Sequence, residues 1–178
     1  MAGTIHILPV SPPPIELNLL DRLSADLAGL LQMQCHVHID DFEAGFAFDT
    51  HRGQTYSTAV LARLAEVRVS AGDIVLGVTE ADLFVPVLTF VFGEAQYPGK
   101  AAVISAARLR EEFYGLPADA EKLRGRLLKE AVHEIGHTRG LGHCDDWQCV
   151  MVSSHRVERL DLKGAEFCAG CRKALSGA

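Results

Sequence analysis

The sequence predicts a mixed α+β domain of α/β-like order, a sheet packed by helices. Three observations predict it. Short apolar runs with strand character alternate with segments of helical periodicity through the first 105 residues. Asp73-Ile74-Val75-Leu76-Gly77-Val78 is nearly all apolar, which suits a strand covered on both faces at the centre of a sheet. Two further apolar runs flank the turn-like tetrapeptide Gln96-Tyr97-Pro98-Gly99, as in a pair of neighbouring strands. With 178 residues, 48% hydrophobic and 22% charged, the chain has the size and composition of one folded domain, residues 1–178.

Taken in order, Thr4 to Leu8 forms a first strand, stopped by Pro9 and the prolines 12–14. Leu20, Leu23, Leu27, Leu30 and Leu31 then recur at helical spacing between Ile15 and Leu31. Cys35-His36-Val37-His38-Ile39 alternates with period two and reads as a strand. His36 and His38 share one face. They are possible ligands, but no carboxylate or cysteine stands beside them at metal spacing, so a polar strand face is the simpler reading. Residues 42–55 read as loop with a short strand. Ser57 and Thr58 open a second helix carrying Val60, Leu61, Leu64 and Val67, which ends near Ser70-Ala71-Gly72. After the central strand come Leu88–Ala95 and Lys100–Ser105, then a polar connector, Arg108–Gly115. Pro117 and Asp119 open the last long helix, which runs to about Arg139. On it Leu128, Val132 and Ile135 form an apolar stripe, and Glu130, His133 and His137 lie on another face.

The formal net charge is −6 with no basic run, which argues against nucleic acid as a partner. The N-terminal stretch lacks the basic start and long apolar core of a signal peptide, and the longest apolar run, Leu83 to Phe92, is too short to cross a bilayer. A cytoplasmic protein without a membrane partner is expected.

The chemistry concentrates in His133-Glu134-Ile135-Gly136-His137-Thr138-Arg139-Gly140-Leu141-Gly142-His143, the pattern H-E-x-x-H-x-x-G-x-x-H. Residues four apart share a helix face, so His133 and His137 can hold one metal ion from one side. Glu134 is turned partly off that axis, toward a water in an open coordination position, where its carboxylate can act as a base. Gly140 can take the left-handed conformation that ends a helix, so that His143 returns as a third ligand. Directly afterwards come Cys144-x4-Cys149 and, later, Cys168-x2-Cys171. Two such pairs can close a tetrahedral site of four thiolates, with no position left for water. Two disulfides or free thiols are the alternative, and His155 is a possible substitute ligand. Cys35 reads as a buried thiol outside the set.

With Met151 lying two residues beyond Cys149, the region His133 to Cys171 closely resembles the archaemetzincins, a branch of the metzincin superfamily of zinc metallopeptidases. The resemblance implies a mixed, mostly parallel twisted sheet with an antiparallel edge strand, a long zinc-binding active-site helix and a C-terminal helix. It implies a catalytic zinc on His133, His137 and His143, with Glu134 as general base and acid. It implies a second, structural zinc on Cys144, Cys149, Cys168 and Cys171, and a methionine turn at Met151 beneath the catalytic metal; residue chemistry alone makes Met151 a core filler just as readily. The implied substrate is an extended peptide or protein paired with an edge strand, for which residues Phe90 to Glu94 are the best match. Tyr97, Tyr114 and Arg108 are candidates for aiding the oxyanion or reading a substrate carboxylate. The rival reading is a zinc-stabilised adaptor with little hydrolysis, and a third is a hydrolase of non-peptide amides.

Overall fold

The computed structural model describes residues 3–176; Met1 and Ala2 of the stretch read for a signal peptide lie outside it. Nine strands and five helices are described: β1 (Thr4–Ser11), α1 (Leu17–Leu31), β2 (Gln34–Val37), β3 (Phe42–Glu43), β4 (Phe48–Asp49), β5 (Gln54–Tyr56), α2 (Ser57–Leu64), β6 (Ile74–Thr79), β7 (Leu83–Phe84), β8 (Gly93–Ala95), β9 (Ala101–Ser105), α3 (Ala120–Thr138), α4 (Val157–Leu162) and α5 (Ala169–Ser176).

The main sheet has the order β2-β1-β6-β9-β8, with β3 continuing beside β1 beyond the end of β2. All its pairings are parallel except β8 with β9. The mostly parallel sheet with an antiparallel edge strand is therefore as expected, and β6 is central. Every residue of β6 and β9 is buried, as continuous apolar runs require when both sheet faces are covered. Period-two alternation sends Ile5, Ile7, Ile74 and Leu76 into one core with α1 and α3, and Leu8, Val10, Val75 and Val103 into another with α2. Within the stretch expected as loop with a short strand, β3 joins the main sheet, and β4 and β5 belong to a small second sheet, β4-β5-β7.

Three expectations about element bounds are corrected. Strand β1 runs through Pro9 to Ser11. Ile7 and Ser11 accept bonds from His38 and Ala44 on the β2/β3 side, so Pro9 also faces that side, where β2 has ended and β3 has not begun. No ladder bond there requires the N–H that proline lacks. Helix α2 stops at Leu64 rather than near Ser70, because Glu66 and Val67 donate to Arg63 and Leu64 in tight turns and the β-branched Val67 and Val69 disfavour helix. Of Leu88–Ala95 only Gly93–Ala95 is a regular strand, joined by a single bridge from Val91 to Leu83. The polar connector forms two 3-10 turns, at Ala107–Leu109 and Glu111–Tyr114.

Helix α3 begins as read: Asp119 is its N-cap, its carboxylate accepting the Lys122 N–H at 2.9 Å. Leu123, Leu127, Ala131, Val132 and Ile135 bury one side against β9 and α1. The opposite side faces β8, the edge of the sheet. No described helix is long and apolar enough to cross a membrane.

Candidate active-site cleft and metal centres

The last turn of α3 ends in a Schellman motif: Leu141 N–H donates to Gly136 C=O at 3.0 Å and Gly140 N–H to His137 C=O at 2.9 Å. Gly140 has φ of 82°, the left-handed turn anticipated from its place in the motif. The turn brings the Leu141 carbonyl back onto the helix, where it accepts from His137 Nδ1 at 2.8 Å. The Val150 carbonyl does the same for His133 Nδ1, also at 2.8 Å. A carbonyl only accepts, so both protons sit on Nδ1 and both Nε2 atoms present lone pairs. Those two Nε2 atoms are 3.1 Å apart, and the ligand atoms of His133, His137 and His143 all lie within 4.8 Å of one another. Two lone pairs so close repel unless a cation lies between them. Tetrahedral zinc with nitrogens at about 2.1 Å sets them about 3.4 Å apart, so the donor set fits zinc. Burial, with the nearby Lys163 charge, pushes His133 down to about 3, which keeps the imidazole neutral and able to ligate.

Glu134 lines the same cleft, a space of about 780 Å³ bounded by α3, β8 and the segment 153–155. It is buried and hydrogen-bonded to Glu130, one turn earlier on the helix. Burial, then the Glu130 carboxylate, pushes Glu134 well above the usual carboxylate range. The opposing charge is Lys163, itself buried, whose Nζ donates to Val150 C=O at 2.8 Å and Val152 C=O at 3.1 Å. Opposite Glu134 lies Gly93 of β8, where a Cβ would sit 2.8 Å from Glu134 Cγ. The next side chain on that strand points to the other sheet face: the Glu94 carboxylate accepts from Ser57 Oγ and Thr58 Oγ1 at the start of α2.

Beyond the third histidine, Cys144 and Cys168 bring their sulfurs to 3.8 Å, and Cys149 and Cys171 to 3.7 Å. All four sulfurs lie within 4.8 Å of one another. A disulfide would need about 2.05 Å, whereas thiolates at about 2.3 Å from a tetrahedral zinc stand about 3.8 Å apart. The Cys171 N–H on its sulfur brings Cys168 down to about 7, toward the thiolate. Backbone N–H groups of Met151 and Cys168 also point at the Cys149 sulfur, at 3.5 and 3.3 Å.

Between the two clusters runs the segment Cys149-Val150-Met151. Cys144 N–H donates to Met151 C=O at 3.0 Å, one residue after the Val150 carbonyl that orients His133. Met151 is fully buried against α3 at Gly136, where a Cβ would meet its sulfur at 2.4 Å. A glycine in the last turn of the helix is explained by that approach.

A family model described as "Peptidase family M54" matches residues 31–177, most of the chain. The chain belongs to peptidase family M54. The resemblance read from His133 to Cys171 therefore extends over nearly all of it, and this member is a zinc metallopeptidase. It is similar to the archaemetzincin of Methanocaldococcus jannaschii, 51% identical over 130 residues that cover 73% of this chain and 70% of that one. Among solved structures, archaemetzincin from Methanopyrus kandleri superposes with a TM-score of 0.82 at 35% identity, covering 98% of this chain and 94% of that one. A zinc-dependent peptidase from Methanocorpusculum labreanum gives 0.85 at 32%, covering 96% and 99%.

Within this M54 chain the two expected ligand sets each converge, and Glu134 and Tyr97 line the cleft beside the histidines. The Tyr97 ring stands 6.0 Å from that of His137. Other candidates fall elsewhere. Tyr114 OH donates to Arg108 C=O, while Arg108 is held by Asp82 through bonds of 2.6 and 2.8 Å and stacks on Phe90 and Phe113. His155 lines the cleft and pairs with Ser153 at 3.3 Å, away from the thiols. Cys35 is half-buried, its thiol raised to about 11 by burial, as a packed thiol would be. Lys163 and the tight approach of Gly93 were not anticipated. Glu130 had a signal, one helical turn before Glu134, whereas Lys163 sits 29 residues beyond Glu134 and had none.

Proposed function

We propose that residues 1–178 act as one catalytic domain that hydrolyses peptide bonds, with zinc on His133, His137 and His143, Glu134 as general base and acid, and a second zinc on Cys144, Cys149, Cys168 and Cys171. The observation that carries it is the pair of unprotonated Nε2 atoms 3.1 Å apart, aimed by two backbone carbonyls into the cleft that holds Glu134. Zinc held there supplies Lewis acidity, making a water acidic enough to ionise near neutral pH and polarising a carbonyl. Glu134 takes the water proton on a carboxylate oxygen and passes it to the departing amine. Burial and the Glu130 carboxylate raise its proton affinity above that of an ordinary carboxylate, which favours uptake of the water proton. Lys163 acts against that rise at both Glu130 and Glu134.

The substrate lies along β8, the free edge of the sheet, in an extended conformation antiparallel or parallel to that strand. This edge overlaps the Phe90 to Glu94 segment singled out from sequence. We assign contact with the oxyanion or the adjoining peptide residue to Tyr97, which lines the cleft with its ring 6.0 Å from that of His137. Cysteines at thiolate spacing rather than in disulfides support a reducing, cytoplasmic setting. Family membership does not favour the adaptor reading.

The test combines metal analysis with kinetics on the full chain. Anomalous scattering at the zinc edge should find two sites, and Glu134→Gln should retain both while losing at least about 10²-fold in kcat/KM on a quenched peptide. One metal site, or a Glu134→Gln protein that cleaves at the wild-type rate, would overturn the assignment.

A further inference from the structure

At the opposite edge of the sheet from the cleft, four ligand-type side chains that are scattered in sequence meet on one face. His6 of β1 and His36 of β2 are partners across the parallel ladder, and His38 follows on the same face of the chain leaving β2. His6 Nδ1 and His38 Nε2 are 3.1 Å apart, the same separation as the two Nε2 atoms in the cleft. The ring centroids stand 4.8 Å apart for His36 and His38, 5.4 Å for His6 and His38, and 6.3 Å for His6 and His36. From sequence, His36 and His38 lacked a carboxylate neighbour; folding supplies one. Asp73, in the turn before β6, accepts from Thr4 N–H at 2.8 Å and Ser70 N–H at 3.0 Å, and its Oδ2 lies 3.3 Å from His6 Nε2.

These contacts fix the chemistry of His6. A carboxylate held by two backbone donors stays ionised, and those N–H bonds, the Thr4 one foremost, hold Asp73 below the usual range. It therefore accepts a hydrogen bond from His6 Nε2–H, which leaves Nδ1 as a lone pair aimed at His38. A carboxylate that orients an imidazole in this way is the usual outer partner of a metal-binding histidine. His36 is exposed and stands edge-on to His38 with 4.8 Å between ring centroids, so a rotation of its ring is what brings a third nitrogen to the ion.

We propose that His6, His38 and His36 form a third metal site, for a divalent transition cation of the kind imidazoles prefer, with Asp73 orienting His6. The ion replaces the single proton between His6 and His38 and ties β2, the short edge strand, to β1. No part of this depends on the cleft or the thiol cluster.

The probe is Ni2+, added to metal-stripped full-length protein reloaded with only two equivalents of zinc, enough for the histidine and cysteine sites, and desalted, with calorimetry, released zinc and melting temperature all recorded. The wild type should take up one equivalent with no zinc released and a higher melting temperature. His38→Gln should abolish that uptake with its zinc content unchanged, and His36→Gln, at an exposed position, should weaken it at least about tenfold. Asp73→Asn should weaken it by about 10- to 100-fold, the usual effect of losing an outer carboxylate. No saturable uptake below about 1 mM, a weakness equal to only about 4 kcal/mol, would overturn the site. So would nickel entering only as zinc leaves, or binding unchanged in both histidine variants.

Discussion

Replacing Gly93 by alanine should slow the enzyme without touching a metal ligand. The added Cβ would stand 2.8 Å from Glu134 Cγ, 2.9 Å from Oε1 and 3.0 Å from Cδ. Carbon atoms settle at about 3.5 Å or more, so one side must give by about 0.7 Å. Strand β8 is held by its ladder to β9 and by the Glu94 carboxylate on Ser57 and Thr58, so Glu134 is the side that moves. A misplacement of about 1 Å at a reacting group costs on the order of 10²-fold, and about 0.7 Å should cost about 10- to 50-fold in kcat/KM, or about 1.4 to 2.3 kcal/mol. Stability should change little, because alanine in a strand gains about 0.5–1 kcal/mol over glycine and offsets part of the crowding. Steady-state kinetics on a quenched peptide, melting temperature and zinc content together make the assay. Wild-type kcat/KM in a folded, zinc-loaded Gly93→Ala protein would refute the claim that this strand fixes the base.

Gly136→Ala should destabilise despite raising helix propensity by about 1 kcal/mol, because its Cβ would meet the buried Met151 sulfur at 2.4 Å and Phe167 at 3.0 Å. Overpacking of that kind costs about 1–3 kcal/mol, so a net loss of up to about 2 kcal/mol is expected from urea denaturation. Cys149→Ser should weaken zinc at the histidines as well as the fold, since the Cys149 sulfur accepts from the Met151 N–H and the preceding Val150 carbonyl orients His133; competition with a chelator measures it, with about a 10-fold loss expected. Arg126, buried and bonded to Asp161 at 2.7 Å and Glu111 at 2.8 Å, should cost about 3–5 kcal/mol when changed to methionine. Its partners also set an acid limit. The Lys122 bond holds Glu111 down, and at Asp161 the Arg126 contacts outweigh burial, so both carboxylates are lowered in the fold. The stability they add is present above their unfolded values near pH 4 and is lost as pH falls through the lower folded ones; urea midpoints from about pH 5 to 2 should fall more steeply in the wild type than in Arg126→Met.

Much of the site was legible because spacing alone carries it. His133 and His137 are one helical turn apart, Gly140 needs a positive φ, and paired cysteines announce a cluster whatever the loop between them does. What could not be read is what reaches the site from another element. Lys163 looks like any surface lysine until the segment after Met151 folds it under α3. Gly93 resembles a flexible link until Glu134 is seen against it. The same holds for the fold: β6 and β9 were evident from continuous apolar runs, but the course of β1 through Pro9 depends on a gap between β2 and β3, and residues 88–92 have strand composition without a long strand partner. His6 and Asp73 lie 67 residues apart, so no local pattern joins them to His36 and His38.

The free edge at β8 has a consequence for self-association. A sheet margin left open for one visitor is open to others, and long flat margins invite copies of the same chain to stack. Here the margin is three residues long, and Glu94 is drawn away onto α2. So brief a margin offers few main-chain bonds to any second copy. The same brevity limits how firmly any peptide is gripped by its backbone. Choice among peptides must then fall to side chains along the cleft, with Leu88, Phe90 and Tyr97 the apolar surface available to make it.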